Sequence, residues 1–345
     1  MLLEGLQLPL TTPFYPDGRL NLLKLEHNVA HYSKTPVAGL VALSDCGEPN
    51  MLSDEETRQA LRSVADAAAA EKVLLAGVSR DSVFGTLDLA EAAATLGYDA
   101  ALVKVPSLFR ADGGAEQTKA LLTYFLMVAD RSALPVVLDG SGYLPAEVVL
   151  ELGRHARIIG LVDGDWGRER FELLRDGTAE VTREVTVTGT FGAVTGRMLS
   201  RNGGLISANT LAGEGAGLAI APSKVTAKTR AKVVGFQILV AGTAQVLDGL
   251  RAGAVGAMPA FAAAAPQACY EVLAAWKEGD EGLALEKQTR LQGVVEKVEE
   301  QLGVAGIKFG CDLNGYFGGR PRLPLLPLTG TERTEVETLM QGLRN

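Results

Sequence analysis

Short apolar segments alternate with amphipathic segments along most of the chain. The apolar segments, most of them bounded by Gly, Ser or Asp, are residues 37–45, 72–79, 99–107, 135–141, 158–165, 236–245 and 252–261. Most are followed by a stretch with helical periodicity, as SDEETRQALRSVADAAAAE follows the first of them. Strands that are apolar on both faces and precede amphipathic helices are typical of a parallel sheet covered by helices. The pattern therefore predicts an α/β fold.

The length of the strand–helix series favours one of two α/β architectures. So many consecutive units favour a closed (β/α)8 TIM barrel, and an open doubly wound sheet is the alternative. No G-x-G-x-x-G follows a predicted strand, which argues against a dinucleotide-binding fold. Ser53, followed by three acidic residues, predicts the capped start of a helix.

The alternation breaks between residues 177 and 235, a stretch that we call the insertion. Residues 181–188 mix Val with Thr, Arg and Glu, as a half-exposed strand does, and the rest is rich in Gly, Ser and Thr. The insertion follows a helical segment, so we expect it at the N-terminal face of the barrel, away from the catalytic mouth. We expect it to be partly strand, to serve assembly or partner contact rather than act as a lid, and to be removable without unfolding the barrel.

A helical tail follows the last apolar segment. We therefore predict a barrel over residues 1–265, with the insertion inside it, and a C-terminal helical extension over residues 266–345.

Composition narrows the function classes. The net charge of −8, with no basic block, argues against a nucleic-acid partner. The apolar run at residues 252–266 is too short for a membrane span, and the first residues do not resemble a signal peptide. The three scattered cysteines favour a reducing compartment, so we expect a cytoplasmic protein. No Cys/His cluster has zinc spacing, and we expect neither a metal nor a cofactor.

Three stretches carry a family resemblance. LTTPFYPDGRLN at residues 10–21, LVALSDCGEPNMLSDEE at residues 40–56 and IKFGCDLNGYFGGRPRLPLLPL at residues 307–328 resemble, in this order, motifs of the dihydrodipicolinate synthase / N-acetylneuraminate lyase family. The resemblance implies a TIM barrel with a C-terminal helical extension, usually tetrameric. It also implies class I aldolase-type chemistry, in which a lysine on the sixth strand forms a Schiff base with a 2-oxo acid.

The resemblance also identifies departures from the family pattern. The sixth strand has Val162 at the lysine position, and valine cannot form an imine. Asp139 occupies the position of the tyrosine on the fifth strand, and Leu108 lies where the family has a tyrosine after the fourth. Asp45 and Cys46 replace the two threonines of the carboxylate-binding turn. The usual Schiff-base site is therefore lost.

Residues beside these positions allow two interpretations each. Gly47 and Glu48, which the family also keeps, are either turn scaffolding, which we favour, or substrate contacts. Lys104, alone in an apolar run, either points outward among the helices, which we favour, or is a replacement amine. We interpret Cys46 as a buried small residue and Lys308 as structural.

Acidic residues follow the fifth and sixth strands. We favour Asp163 and Asp165 as caps of the next helix. Alternatively, with Asp45 and Asp139, they form an acidic mouth that could bind a divalent metal. Asp45, Cys46, Gly47, Glu48, Lys104 and Asp163 are the substrate-binding candidates.

Two function classes stay open. One is an enzyme with a rebuilt site that acts on a small oxo- or hydroxy-acid without the usual imine. The other is a catalytically inactive homologue that serves as an oligomer subunit, a scaffold or a small-molecule sensor. In either class we expect a homo-oligomer, a dimer or a tetramer.

Overall fold

The structure, a computed structural model, describes residues 1–109, 114–142, 144–201, 206–207 and 228–343. The strands of this part of the chain are β1 (Gly5–Pro9), β2 (Gly39–Ala42), β3 (Val73–Gly77), β4 (Ala100–Lys104), β5 (Val136–Asp139), β6 (Ile158–Asp163), β7 (Arg183–Thr188), β8 (Ile206–Ser207), β9 (Lys228–Val234), β10 (Gln237–Val240) and β11 (Gly256–Ala257). Strands β1 to β6, β10 and β11 form a closed barrel in which every paired neighbour is parallel. The predicted TIM barrel is confirmed, and the open sheet is excluded.

Helices surround the barrel and continue beyond it. The helices are α1 (Leu22–Tyr32), α2 (Asp54–Ala67), α3 (Val83–Thr95), α4 (Gly114–Arg131), α5 (Ala146–Gly153), α6 (Arg168–Gly177), α7 (Gly196–Arg201), α8 (Val246–Ala252), α9 (Pro266–Lys277), α10 (Glu281–Val295), α11 (Gly303–Leu313) and α12 (Gly330–Met340). The Ser53 hydroxyl accepts from the Glu56 backbone N–H, and the Glu56 carboxylate accepts from the Ser53 backbone N–H, so the predicted cap is present. Within the described residues, no helix is long and apolar enough to cross a membrane.

Two apolar layers explain why the strand segments are apolar on both faces. One cluster fills the barrel interior with residues such as Leu75, Leu102 and Leu239. A larger cluster lies between the strands and the helices and includes Leu74 and Phe125. Strand residues alternate between the two layers.

The described part of the insertion lies at the N-terminal face of the barrel, as predicted. Strands β7 and β9 pair antiparallel, and β8 is parallel to β9. Val185, Val187 and Val234 pack on Leu2, just before β1. The Arg183 guanidinium donates to the carbonyls that surround the start of β6. The middle of the insertion, residues 202–205 and 208–227, lies outside the described residues.

The C-terminal helices also reach the opposite end of the barrel. In α11, the Lys308 ammonium is fully buried and donates to Glu48 Oε1 over 2.5 Å and to the carbonyl of Thr12 over 2.8 Å. Thr12 follows β1 and Glu48 follows β2, so this lysine joins the tail to the loops at the carboxyl ends of two strands. The expectation that Lys308 is structural agrees with these contacts.

Candidate functional site

A cavity of about 400 Å³ opens at the carboxyl ends of β2 to β5. Barrel enzymes keep their active sites at this end, because the loops that follow the strands converge there. The polar side chains of its wall are Ser44, Asp45, Asn50, Ser79, Arg80, Asp81, Lys104, Ser107 and Asp139. We call this space the mouth cavity.

A second, larger cavity of about 950 Å³ lies at the N-terminal face, between the insertion, β1 and α9. Its wall is largely apolar, and two of its charged groups already have partners. The Lys72 ammonium donates to the Thr35 and Val37 carbonyls, and Glu4 pairs with Lys232. The mouth cavity is the better candidate because its charged groups come from the ends of several strands.

Strand register places three candidate site positions side by side. Lys104 on β4 is paired with Asp139 on β5, and Asp139 with Val162 on β6. Val162 is 1% exposed and belongs to the cluster inside the barrel. An apolar side chain of β6, near the carboxyl end of the strand, therefore points into the barrel interior.

Lys104 lies in the mouth cavity, so the outward orientation that we favoured is wrong. Ala100 and Leu102 belong to the interior cluster, and the period of two along β4 turns Lys104 inward as well. Its ammonium donates to Asp45 Oδ2 over 2.6 Å, and its backbone N–H donates to Ser79 Oγ over 2.8 Å. The lysine is thus held at the mouth by an ion pair.

Asp139 is a buried acid beside this pair. It is 4% exposed and accepts a 2.9 Å hydrogen bond from the Ser141 backbone N–H. Burial raises its pKa, while the Ser141 hydrogen bonds and the Lys104 charge oppose that rise. A carboxyl with a raised pKa can hold a proton closer to neutral pH than an exposed aspartate does.

A strained turn positions Ser44 and Asp45. Leu43 has a φ of 59°, a left-handed conformation that is rare for leucine. Gly77 leaves room for it, since a Cβ there would lie 2.1 Å from the Leu43 carbonyl oxygen. Ser44 is 6% exposed, and its Oγ has no hydrogen-bond partner among the described residues. A buried hydroxyl on the wall of a cavity and without a partner indicates a place for a ligand oxygen.

The rest of this turn makes its contacts within the protein. A Cβ on Gly47 would lie 3.3 Å from the Leu10 carbonyl oxygen, and the Gly47 carbonyl accepts from Thr12 Oγ1. Glu48 Oε1 accepts from Lys308, and its Oε2 accepts from the Arg322 backbone N–H. Both carboxylate oxygens of Glu48 are therefore already hydrogen-bonded within the protein.

Cys46 and Leu108 do not offer reactive groups to the cavity. Cys46 is 6% exposed, and burial raises the pKa of its thiol, which disfavours the thiolate. Leu108 is 60% exposed in the turn after β4. Neither residue can perform the proton transfer that a tyrosine would.

Asp163 is neither a helix cap nor a mouth residue. Helix α6 begins after Gly167, which makes no side-chain cap, so the expected capping by Asp163 and Asp165 is wrong. Asp163 is fully buried outside the mouth cavity and accepts a 3.2 Å hydrogen bond from Arg170. An acidic mouth that includes Asp163 does not form. In the described ranges, no three His, Cys, Asp or Glu side chains are grouped to hold a metal.

Ser44 and Glu299 are polar residues of interest that the sequence patterns did not identify. Ser44 directly follows an apolar run, a signal that could have marked it as a strand-end residue. Glu299 comes from a turn of π-helix in the tail, accepts from the Thr243 backbone and hydroxyl, and also accepts from the Phe261 N–H over 2.9 Å. Burial raises its pKa. No sequence pattern indicates that it returns to the barrel.

Comparison with known proteins defines the class of this barrel. A profile of the dihydrodipicolinate synthetase family matches residues 2–161 and 223–343, which is most of the chain. The chain belongs to the dihydrodipicolinate synthetase family, whose relatives here include aldolase-type lyases. The internal stretch that the profile does not match, residues 162–222, begins at Val162 and includes most of the insertion.

Individual relatives show how far the likeness extends. A 4-hydroxy-tetrahydrodipicolinate synthase from Acidiphilium cryptum is 25% identical, over 99% of this chain and 98% of its own length. An L-threo-3-deoxy-hexylosonate aldolase from Hypocrea jecorina is also 25% identical, over 99% of this chain and 95% of its own. A solved dihydrodipicolinate synthase from Bacillus anthracis has the same fold, with a TM-score of 0.78, 18% identity and complete coverage of both chains.

Proposed function

We propose that this chain binds a small oxo- or hydroxy-acid in the mouth cavity and that strand β6 forms no covalent bond with it. The observation that carries the proposal is the mouth cavity itself. It combines the Lys104–Asp45 pair, the buried Asp139 and the unpartnered Ser44 hydroxyl, whereas the β6 position holds Val162. Such a constellation supports a rebuilt lyase-type site better than a silent one.

The groups of the cavity suit a small oxygen-rich ligand. Lys104 and the Ser44 hydroxyl can donate to carbonyl, hydroxyl or carboxylate oxygens. Asp45 carries a negative charge into the turn that binds carboxylate in the resembled family, but Lys104 lies 2.6 Å away and offsets it. Aldolase-type relatives such as the hexylosonate aldolase are consistent with a ligand of this size.

Calorimetric titration with pyruvate and with lactate tests the proposal. The pair separates an oxo-acid from a hydroxy-acid of the same length. Gly142→Leu adds a side chain about 3.8 Å from Lys104 Cε, beside the cavity, where it should hinder the ligand. Gly330→Leu is the matched control, because a Cβ there meets nothing within 4 Å.

We expect at least one of the two acids to bind the native protein. Gly142→Leu should weaken that binding about tenfold or more, or about 1.4 kcal/mol, and Gly330→Leu should leave it unchanged. Absence of binding by both acids, or binding that Gly142→Leu does not affect, would contradict the proposal. Binding without turnover of any 2-oxo acid would favour the inactive homologue that acts as a sensor.

Self-association is the second part of the proposal. Leu323 and Leu326, in the Pro-rich exit after α11, are each 72% exposed. Strongly exposed leucines three positions apart favour an interface between like chains, a dimer or a tetramer. Sedimentation should give a dimer or tetramer that Leu326→Glu weakens, and a monomer at micromolar concentration would contradict this part.

A further inference from the structure

We propose that Lys104 is the nucleophilic amine of this site and forms an imine with the carbonyl carbon of a small hydroxylated oxo compound. The inference rests on the proposed function, because it needs a ligand in the mouth cavity. It differs from chemistry at β6 in placing the covalent step on β4, two strands away.

The location of Lys104 meets the first requirement of an amine nucleophile. It is the lysine on the wall of the mouth cavity among the described residues, and its side chain is 29% exposed. In the register, Lys104 is separated from Val162 by Asp139 alone, or two strand spacings of ~5 Å each. A ligand in this narrow mouth is therefore within reach of a lysine on β4.

The neighbours of Lys104 can manage the protons of imine formation. Asp45 Oδ2 lies 2.6 Å from the ammonium nitrogen, so it stays as the counter-ion of the protonated imine. Asp45 is 58% exposed, so water reaches the ion pair and can take the proton that the amine must lose before attack. Asp139, whose pKa burial raises, is a carboxyl that can supply a proton to the departing oxygen.

The covalent step balances without any further reactant. The neutral amine of Lys104 attacks the carbonyl carbon, so a carbon–nitrogen bond forms and the carbonyl oxygen becomes a hydroxyl. That hydroxyl takes a proton and leaves as water while the imine forms. Nothing is oxidised or reduced, and the protonated imine keeps a positive charge beside Asp45.

The cavity wall indicates the kind of carbonyl compound. Ser44 Oγ has no partner, and the Ser107 hydroxyl donates to Asp81, so the wall is rich in hydroxyl groups. The carboxyl oxygens of Asp45 and Asp139 can accept hydrogen bonds from the hydroxyls of a ligand. A hydroxylated carbonyl therefore fits best. A 2-oxo acid has the same reactive carbon, so glyceraldehyde and pyruvate are the two probes.

Borohydride trapping with peptide mapping tests the assignment. The full-length protein is incubated with glyceraldehyde or pyruvate in the presence of borohydride, which reduces an imine to a stable amine, and the modified lysines are identified by mass spectrometry. Labelling of Lys119, exposed on α4, measures the background. Lys104→Arg keeps a cation beside Asp45 but cannot form the adduct. A urea unfolding midpoint close to that of the native protein establishes that the Lys104→Arg variant is folded.

We expect Lys104 to be labelled at least about tenfold faster than Lys119 by one of the probes, and Ser44→Ala to reduce only the Lys104 rate. Stronger labelling by glyceraldehyde identifies an uncharged hydroxyaldehyde as the ligand class, and stronger labelling by pyruvate identifies an oxo-acid. Equal labelling of Lys104 and Lys119 by both probes would overturn the assignment, as would an adduct that forms mainly on another lysine. If calorimetry still detects pyruvate or lactate in the mouth cavity, the proposed function survives that result.

Discussion

Removing the buried ammonium of Lys308 is the substitution whose effect the structure defines best. Lys308→Met keeps a long, unbranched side chain but leaves Glu48 with an uncompensated buried charge. The Lys308 and Glu48 side chains are both 0% exposed, so water cannot replace the lost partner. The substitution also removes hydrogen bonds to the carbonyls of Thr12 and Arg320.

The expected loss follows from the geometry of the pair. The Nζ–Oε1 distance is 2.5 Å, and breaking a buried ion pair by removing one partner costs about 3–5 kcal/mol. Burial lowers the pKa of Lys308, while the charge and hydrogen bond of Glu48 oppose that shift. Part of the attraction between Lys308 and Glu48 is therefore spent in offsetting the desolvation of the ammonium. A second change, Glu48→Gln, removes the stranded charge and should restore part of the lost stability.

Urea unfolding at pH 7 measures this loss, with Lys119→Met as the control at an exposed lysine. The control should stay within about 0.5 kcal/mol of the native protein. If Lys308→Met changed the free energy of unfolding by less than about 1 kcal/mol, the pair would not hold the tail against the barrel as the structure indicates.

Three further predictions concern other parts of the chain. Asp139→Asn should raise stability at pH 7 by about 1 kcal/mol in urea unfolding. Because the pKa of Asp139 is raised in the folded protein, the contribution of this residue to native stability falls as the pH rises from 3.8 towards the folded value. The stability gained by Asp139→Asn should therefore vanish in acid. A variant that is less stable than the native protein at pH 7 would contradict this prediction. Ser53→Ala should cost about 1 kcal/mol of unfolding free energy through loss of the capping box, and no change would contradict that role. Val162→Lys combined with Asp139→Tyr should give little or no synthase activity in a coupled assay, because catalytic residues act as a unit, whereas robust turnover would mean that the remaining pocket is intact.

The barrel strands could be read from the sequence because both of their faces are buried. Their apolar runs, such as the one that contains β6, are distinct from the helical periodicity around them. The location of the insertion at the N-terminal face could also be predicted from the order of the elements, since the insertion comes after a helix. The cap at Ser53 rested on a local pattern that needs no tertiary information.

The candidate site could be predicted only in part, since its geometry depends on contacts between distant segments. A strand that is apolar on both faces gives no sign of which alternate residues point inward, so the orientation of Lys104 on β4 was missed. Ser44 depends on a left-handed Leu43 and on Gly77 of the next strand. Capping by Asp163 was wrong because β6 extends to it and α6 begins five residues later.

If the ligand of this chain lies in the mouth cavity beside Lys104, a crystal structure of the protein grown with pyruvate should show it there. We expect electron density for the ligand within hydrogen-bonding or bonding distance of Lys104 Nζ and near the Ser44 hydroxyl. Density for pyruvate at another position, with the mouth cavity holding only solvent, would contradict it.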